Sequence, residues 1–161
     1  MMEPRELVAF AEAAVDQVEP IFRSGLGAQP ARFKGQGDFA TEVDLVIEQQ
    51  LRDILTQMTG IPVYGEESGG SVLDTVWVVD PIDGTANYSA GNPLAGILVA
   101  LIHKGAPVVA VSDFPLLGRR LVTCDGSPLR SVGGPATGFG GGEDAMGFDE
   151  ARGHVGCSSH L

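Results

Sequence analysis

Cysteine is scarce in this chain. Only Cys124 and Cys157 occur in 161 residues, with no metal-binding spacing and too few to build a disulfide framework, so both are expected as free thiols in a reducing compartment. Basic residues are few as well. Ten lysines and arginines stand against 21 aspartates and glutamates, a net charge of -11, and such a surface repels a polyanionic backbone, which removes nucleic acid from the expected partners. Most of these carboxylates are expected simply to face water. The longest apolar stretch, Leu94 to Ile102, is about half of the roughly 20 residues that a spanning helix needs, so no membrane span is expected. Glu3, Arg5 and Glu6 precede a periodic segment instead of a basic stretch and an apolar core, and no secretion signal is read there. A cytoplasmic globular protein is the expectation that remains.

What is present organises itself in two ways. Leu7, Phe10, Ala11, Ala14, Val15, Val18, Ile21 and Phe22 recur at helical spacing and predict an amphipathic helix that ends in the stretch Gly25 to Pro30. A second helix is predicted to start at Thr41 as N-cap and to bury Val43, Val46, Ile47, Leu51, Ile54, Leu55 and Met58, before Gly60 and Pro62 stop it. Strands are predicted at Ile61 to Tyr64, Val76 to Asp80, Ala95 to Ile102, Val108 to Ser112 and Arg120 to Thr123, from β-branched content and flanking turns. His103-Lys104-Gly105-Ala106 reads as a hairpin connection with His103 in the loop, where no second histidine is spaced to share a metal. The fold class is therefore α+β, with two helices packed on one face of a mainly antiparallel sheet. Trp77 is expected as core filler; Lys34 could pair with a phosphate or a carboxylate, but a solvated lysine is the commoner case.

The chemistry is concentrated in the segment Trp77 to Tyr88. A hydrophobic strand there delivers Asp80 and Asp83, three residues apart, into a tight turn rich in polar atoms. Hard divalent cations take oxygen ligands, and Mg2+ is commonly held by one or two carboxylates together with the phosphate of its substrate. Pro81 fixes its own φ, Gly84 is free to take backbone angles that other residues avoid, and the Ile82 carbonyl between the carboxylates is a further hard ligand. Thr85 offers a hydroxyl where a helix can begin, and the amides of Gly84 and Thr85 are free donors for a phosphate at such a terminus. Asp-Pro and Asp-Gly are also ordinary turn dipeptides. Two further acidic turns, Tyr64-Gly65-Glu66-Glu67-Ser68 and the segment Lys34 to Asp44, favour the metal reading. Asp44 falls at the third position of the second helix, where an acid contributes roughly 0.3 to 1 kcal/mol to a helix start without touching metal; both roles can coexist.

The run from Asp80 to Tyr88, the Gly65-Glu66-Glu67-Ser68 element and the Thr41-Glu42-Val43-Asp44 element together resemble, in order and spacing, the inositol monophosphatase family. The resemblance covers residues 4 to 125 and implies the N-terminal half of a layered α/β/α/β/α sandwich. It implies Mg2+-dependent hydrolysis of small phosphate monoesters by an activated water, with no covalent phosphoenzyme. Inositol 1-phosphate is the eponymous substrate, and histidinol phosphate, fructose 1,6-bisphosphate and nucleotide 3'-phosphates are those of relatives. It assigns Glu66, Asp80, the Ile82 carbonyl and Asp83 to the metal cluster, with Asp80 bridging two ions and Glu67 standing behind Glu66. Thr85 orients the attacking water, Asp44 works near the metals, and Asp83, Gly84 and Thr85 meet the substrate phosphate; Glu66, Thr85 and Asp44 are the catalytic set.

From residue 126 the pattern changes. Residues 126–161 read as a glycine-rich tail, crowded from Ser131 to Gly147 and expected to be poorly ordered. The run Gly138 to Gly142 lacks the following Gly-Lys-Ser/Thr of a phosphate loop, and His154, Cys157 and His160 have no recognised zinc spacing. The family's second signature, a Trp-Asp pair followed by Ala-Gly, is absent, because the only tryptophan precedes Val78. Beside the phosphatase expectation this leaves one alternative, a truncated or frameshifted chain that binds metal and is weak or inactive as an enzyme, or serves as an interaction module. An exposed sheet edge would invite a homodimer or another partner.

Overall fold

The computed structural model describes residues 2–133. Helix α1 (Pro4–Ser24) opens with Pro4 in its first turn and a reciprocal capping box between Glu3 and Glu6, a position where the missing proline N–H leaves nothing unpaired. Its buried side is Leu7, Ala11, Ala14, Val15, Val18 and Phe22, within the stripe that the spacing predicts. Helix α2 (Glu42–Thr59) is capped by Thr41 and stopped by Gly60 in the left-handed region, as expected. Its inward face differs. Val46 and Met58 are exposed, while Asp44, Ile47, Glu48, Leu51 and Leu55 are buried. Two carboxylates occupy inward places because each finds hydrogen-bond donors in a neighbouring turn, a gain that apolar periodicity cannot register.

Strands β1 (Pro30–Gly35) and β2 (Asp38–Thr41) form a separate antiparallel hairpin. Almost every residue of β1 is exposed, so it lacks the alternation that would reveal it in the sequence. The main sheet has six strands in chain order: β3 (Val63–Gly65), β4 (Thr75–Asp83), β5 (Gly96–His103), β6 (Ala106–Phe114), β7 (Arg119–Cys124) and β8 (Arg130–Gly133). Only the β3–β4 pair is parallel; the other neighbours are antiparallel. Strands β5 and β6 are joined through Lys104 and Gly105, at φ 50° and 79°, the sense of turn that matches strand twist in a tight hairpin. His103 is not in that loop. It ends β5, and its Nδ1 lies 2.7 Å from Oγ1 of Thr75, its partner on β4.

Helices α1 and α2 lie side by side on one face of the sheet, over Trp77, Val79, Ile97, Val99, Leu101, Val109 and Val111. Burial of side chains of this size contributes about 1.5 to 3 kcal/mol each. Trp77 is fully buried, and its indole N–H donates to Thr59 Oγ1 at 3.1 Å, so it fills the core as expected. The other face presents Tyr64, Val78, Leu98, Ala100 and Ala110 around a groove of about 520 Å3. The sheet's edges are the short strands β3 and β8, so its broad apolar surface is this face and not an edge. All of β8 is exposed, and it nonetheless pairs with β7, carrying regular structure to Gly133. The run Gly138 to Gly142, His154, Cys157 and His160 lie outside the described residues. Among the described residues no helix is long and apolar enough to cross a membrane.

Candidate metal centre

The segment predicted as a tight turn after Val79 is the end of β4, and it contains a bulge. Asp80 pairs with Leu98 and Asp83 with Gly96, so the three steps from Asp80 to Asp83 face two steps on β5. In a regular strand, residues three apart point to opposite faces; one extra residue brings both carboxylates to the same face. They line one pocket of about 230 Å3, together with Glu66, Ile82, Gly84, Thr85 and the hairpin residues Gly37, Asp38 and Phe39.

Burial, the adjoining Glu66 carboxyl and the Asp83 charge push the Asp80 pKa up to about 8. Asp80 Oδ1 is buried and has no hydrogen-bond partner. Lys34, expected in solvent, instead reaches from β1 into this acidic group. Its ammonium donates to Glu67 Oε1 at 2.9 Å and to Glu66 Oε1 at 3.2 Å. Burial opposes the Lys34 charge, but the hydrogen bonds to Glu67 and Glu66 outweigh it and raise the lysine above its ordinary value. Glu67 is shifted upward chiefly by burial, with Lys34 pulling the other way, and its Oε2 is also unpartnered.

Asp44 joins the site from behind. At the start of α2 its Oδ2 accepts from Thr41 N at 2.7 Å and Thr41 Oγ1 at 2.5 Å, while Oδ1 faces Thr85 Oγ1 at 3.1 Å. The same Thr85 hydroxyl lies 2.9 Å from the Ile82 carbonyl. Both neighbours are acceptors, so they compete for its single proton and leave its lone pairs to receive a donor such as water. Thr85 begins the short helix α3 (Thr85–Ser89) after Gly84, whose φ of 78° lies in the left-handed region. Neither the Gly84 nor the Thr85 amide donates to a partner among the described residues.

The donor set is hard and entirely oxygen, and it includes a buried carboxylate atom that no protein group satisfies. Those properties suit Mg2+, whose charge would relieve the crowding that raises Asp80. The carboxylates do not form a closed cage: among the described residues no three His, Cys, Asp or Glu side chains gather tightly enough to hold an ion by themselves. Glu66 leans toward Lys34, and a magnesium ion characteristically completes its shell with water and substrate oxygens. Glu66, Asp80, Ile82, Asp83, Gly84 and Thr85 are thus brought to one pocket, with Asp44 bonded to Thr85 behind it. The spacing of acidic residues did not say which carboxylates Lys34 would meet, and it missed Glu48. The glycine-flanked turn after Lys34 was the available signal for the first, and the i, i+4 relation to Asp44 for the second.

The chain is thus a helix-covered α+β sheet that collects carboxylates from a bulged strand end and an adjoining loop into one pocket. The model of the inositol monophosphatase family matches residues 3–140, and the chain belongs to that family. A probable inositol 1-monophosphatase ImpA of Mycobacterium tuberculosis is 47% identical over 131 residues, covering 80% of this chain and 48% of that one. Inositol-1-monophosphatase ImpA of Mycolicibacterium smegmatis is 46% identical over 136 residues, 83% of this chain and 49% of that one. Among solved structures, Thermotoga maritima IMPase superposes with a TM-score of 0.72 at 25% identity, over 76% of this chain and 50% of that one. The chain spans about half the length of the curated relatives it matches.

Proposed function

We propose that this chain carries the metal-binding half of a Mg2+-dependent phosphatase of small phosphate monoesters, with inositol 1-phosphate as the first substrate to test. The observation that supports it best is the buried, unpartnered Asp80 oxygen beside Asp83 and Glu66. Asp80, Asp83, Glu66 and the Ile82 carbonyl hold the metal in this reading. When bound, Mg2+ lowers the pKa of water and neutralises charge on the transferred phosphoryl group. The protein's own groups do the positioning. Thr85 accepts a hydrogen bond from the attacking water while Asp44 fixes the hydroxyl's direction; Gly84 and Thr85 offer free amides to the phosphate oxygens, beside Asp83. Glu67 stays behind Glu66, neutralised by Lys34.

Phosphate release from a panel of inositol 1-phosphate, histidinol phosphate, fructose 1,6-bisphosphate and a nucleotide 3'-phosphate, with and without Mg2+, tests the reading. Release is expected only with Mg2+, and Asp83→Asn should lower it at least 100-fold, roughly the 2.7 kcal/mol of two factors of ten. Full Mg2+-dependent turnover by Asp83→Asn sinks the assignment. A second reading is favoured by the open donor set, in which no three acidic side chains among the described residues close on an ion: a unit that binds metal with little or no turnover. Mg2+ binding without phosphate release would select it.

A further inference from the structure

Glu48 has no part in the chemistry above, yet it is a carboxylate buried to 2% exposure in the middle of α2. Its Oε2 accepts the Glu67 amide at 2.6 Å and its Oε1 the Ser68 amide at 2.9 Å. The Ser68 hydroxyl also bonds to Oε1, and Arg52 stands 3.5 Å from the same oxygen. The Glu67 and Ser68 donors belong to the turn that carries Glu66, while Arg52 stands on α2 itself. One helical turn earlier on the same face, Asp44 bonds through Thr85 to the turn that carries Asp80 and Asp83. Residues four apart on a helix lie one above the other, about 6 Å along its axis.

We infer that Glu48 is a positioning residue for the metal centre: α2 uses two buried carboxylates, Asp44 and Glu48, to hold the two ligand-bearing turns at a fixed separation, Glu48 setting the place of Glu66. Three further details agree. Gly65 has no Cβ where one would run into the Glu48 carboxyl, so the turn passes directly over that group. Arg52, one helical turn after Glu48 on α2, holds both ends of the same segment, donating to Val63 O on β3 at 2.6 Å and to Gly69 O at 2.8 Å. Glu66 N is itself fixed to Val79 O at 3.1 Å, one residue before Asp80, so a displacement of the turn changes the spacing of the two ligands.

The inference rests on the metal reading above, and one experiment separates the two. Mg2+ is titrated calorimetrically into the full chain and into Glu48→Gln, Glu48→Asp, Ser68→Ala and Asp83→Asn, with circular dichroism to establish folding. Glutamine keeps the shape but places an NH2 against donor N–H groups, so Glu48→Gln should weaken Mg2+ binding about 10- to 100-fold, the usual effect of removing a group that orients a ligand. Ser68→Ala, which removes one of the donors, should weaken it several-fold with the fold intact, and Glu48→Asp should fall between. Folded Glu48→Gln with the parent's Mg2+ affinity overturns the inference while Asp83→Asn upholds the metal. If Glu48→Gln does not fold, unchanged affinity in Ser68→Ala overturns it equally. No Mg2+ binding by the parent chain removes the metal reading and this inference with it.

Discussion

At Asp80 a single side chain combines burial, like-charged neighbours and an oxygen without a donor. Asp80→Asn keeps the volume and removes a carboxyl that burial and neighbouring acids force to take up a proton on folding, so in metal-free buffer it should raise stability by about 1 to 3 kcal/mol. Urea unfolding with EDTA checks this, and the parent but not the variant should gain stability when Mg2+ is added. Gly84 offers the contrasting case. Its φ of 78° and the Leu94 carbonyl 3.0 Å from the position of an added Cβ predict that Gly84→Ala loses about 1 to 3 kcal/mol, read from the same unfolding curves. Asp80, Asp83, Glu66 and Asp44 were legible as candidates because the three acidic segments that carry them resemble the family's in order and spacing, whereas each turn alone has an ordinary structural explanation. The partners of Lys34 were not legible, since Glu66 and Glu67 lie more than 30 positions away.

Among the elements, α2 shows how packing reassigns what periodicity suggests. Its start was readable because Thr41 and Asp44 form a local capping box, whereas the inward turn of Glu48 depends on amides brought by a distant loop. Thr41→Val should cost about 1 to 2 kcal/mol in thermal or urea unfolding, through the lost cap and the freed Asp44 carboxylate. The union of α1 with the sheet has its own ionic clasp: Arg120 on β7 bonds Asp113 on β6 at 2.9 Å and Asp16 on α1 at 2.8 Å. Burial raises the Asp113 pKa, with Arg120 pulling it down less strongly. The folded chain therefore holds that proton more tightly than the unfolded one. Stability linked to it is fully present below the ordinary carboxylate value and is lost as pH rises through the raised value. Asp113→Asn should flatten that part of the curve of unfolding free energy against pH.

For the molecule as a whole, the helices cover one face of the sheet and leave Tyr64, Val78 and their neighbours on the other. Such a contiguous apolar surface favours association. We expect sedimentation velocity to show concentration-dependent self-association of the chain, and Val78→Lys, at a 38% exposed position, to reduce it with unchanged circular dichroism. The class of fold was readable because long apolar strands and two helical stripes dominate the sequence; the β1–β2 hairpin and β8 escaped notice because β1 and β8 are almost wholly exposed and β2 has only four residues, so no alternation is imposed. The bulge in β4 was equally hidden, since nothing in the composition of Asp80-Pro81-Ile82-Asp83 announces how many partners it will have on β5. Its consequence concerns parity. The two carboxylates meet because a count is odd on one strand and even on the other, so removing or adding one residue between them would separate the pair with every amino acid of the motif still in place. In this chain the spacing is as much a functional group as the aspartates themselves.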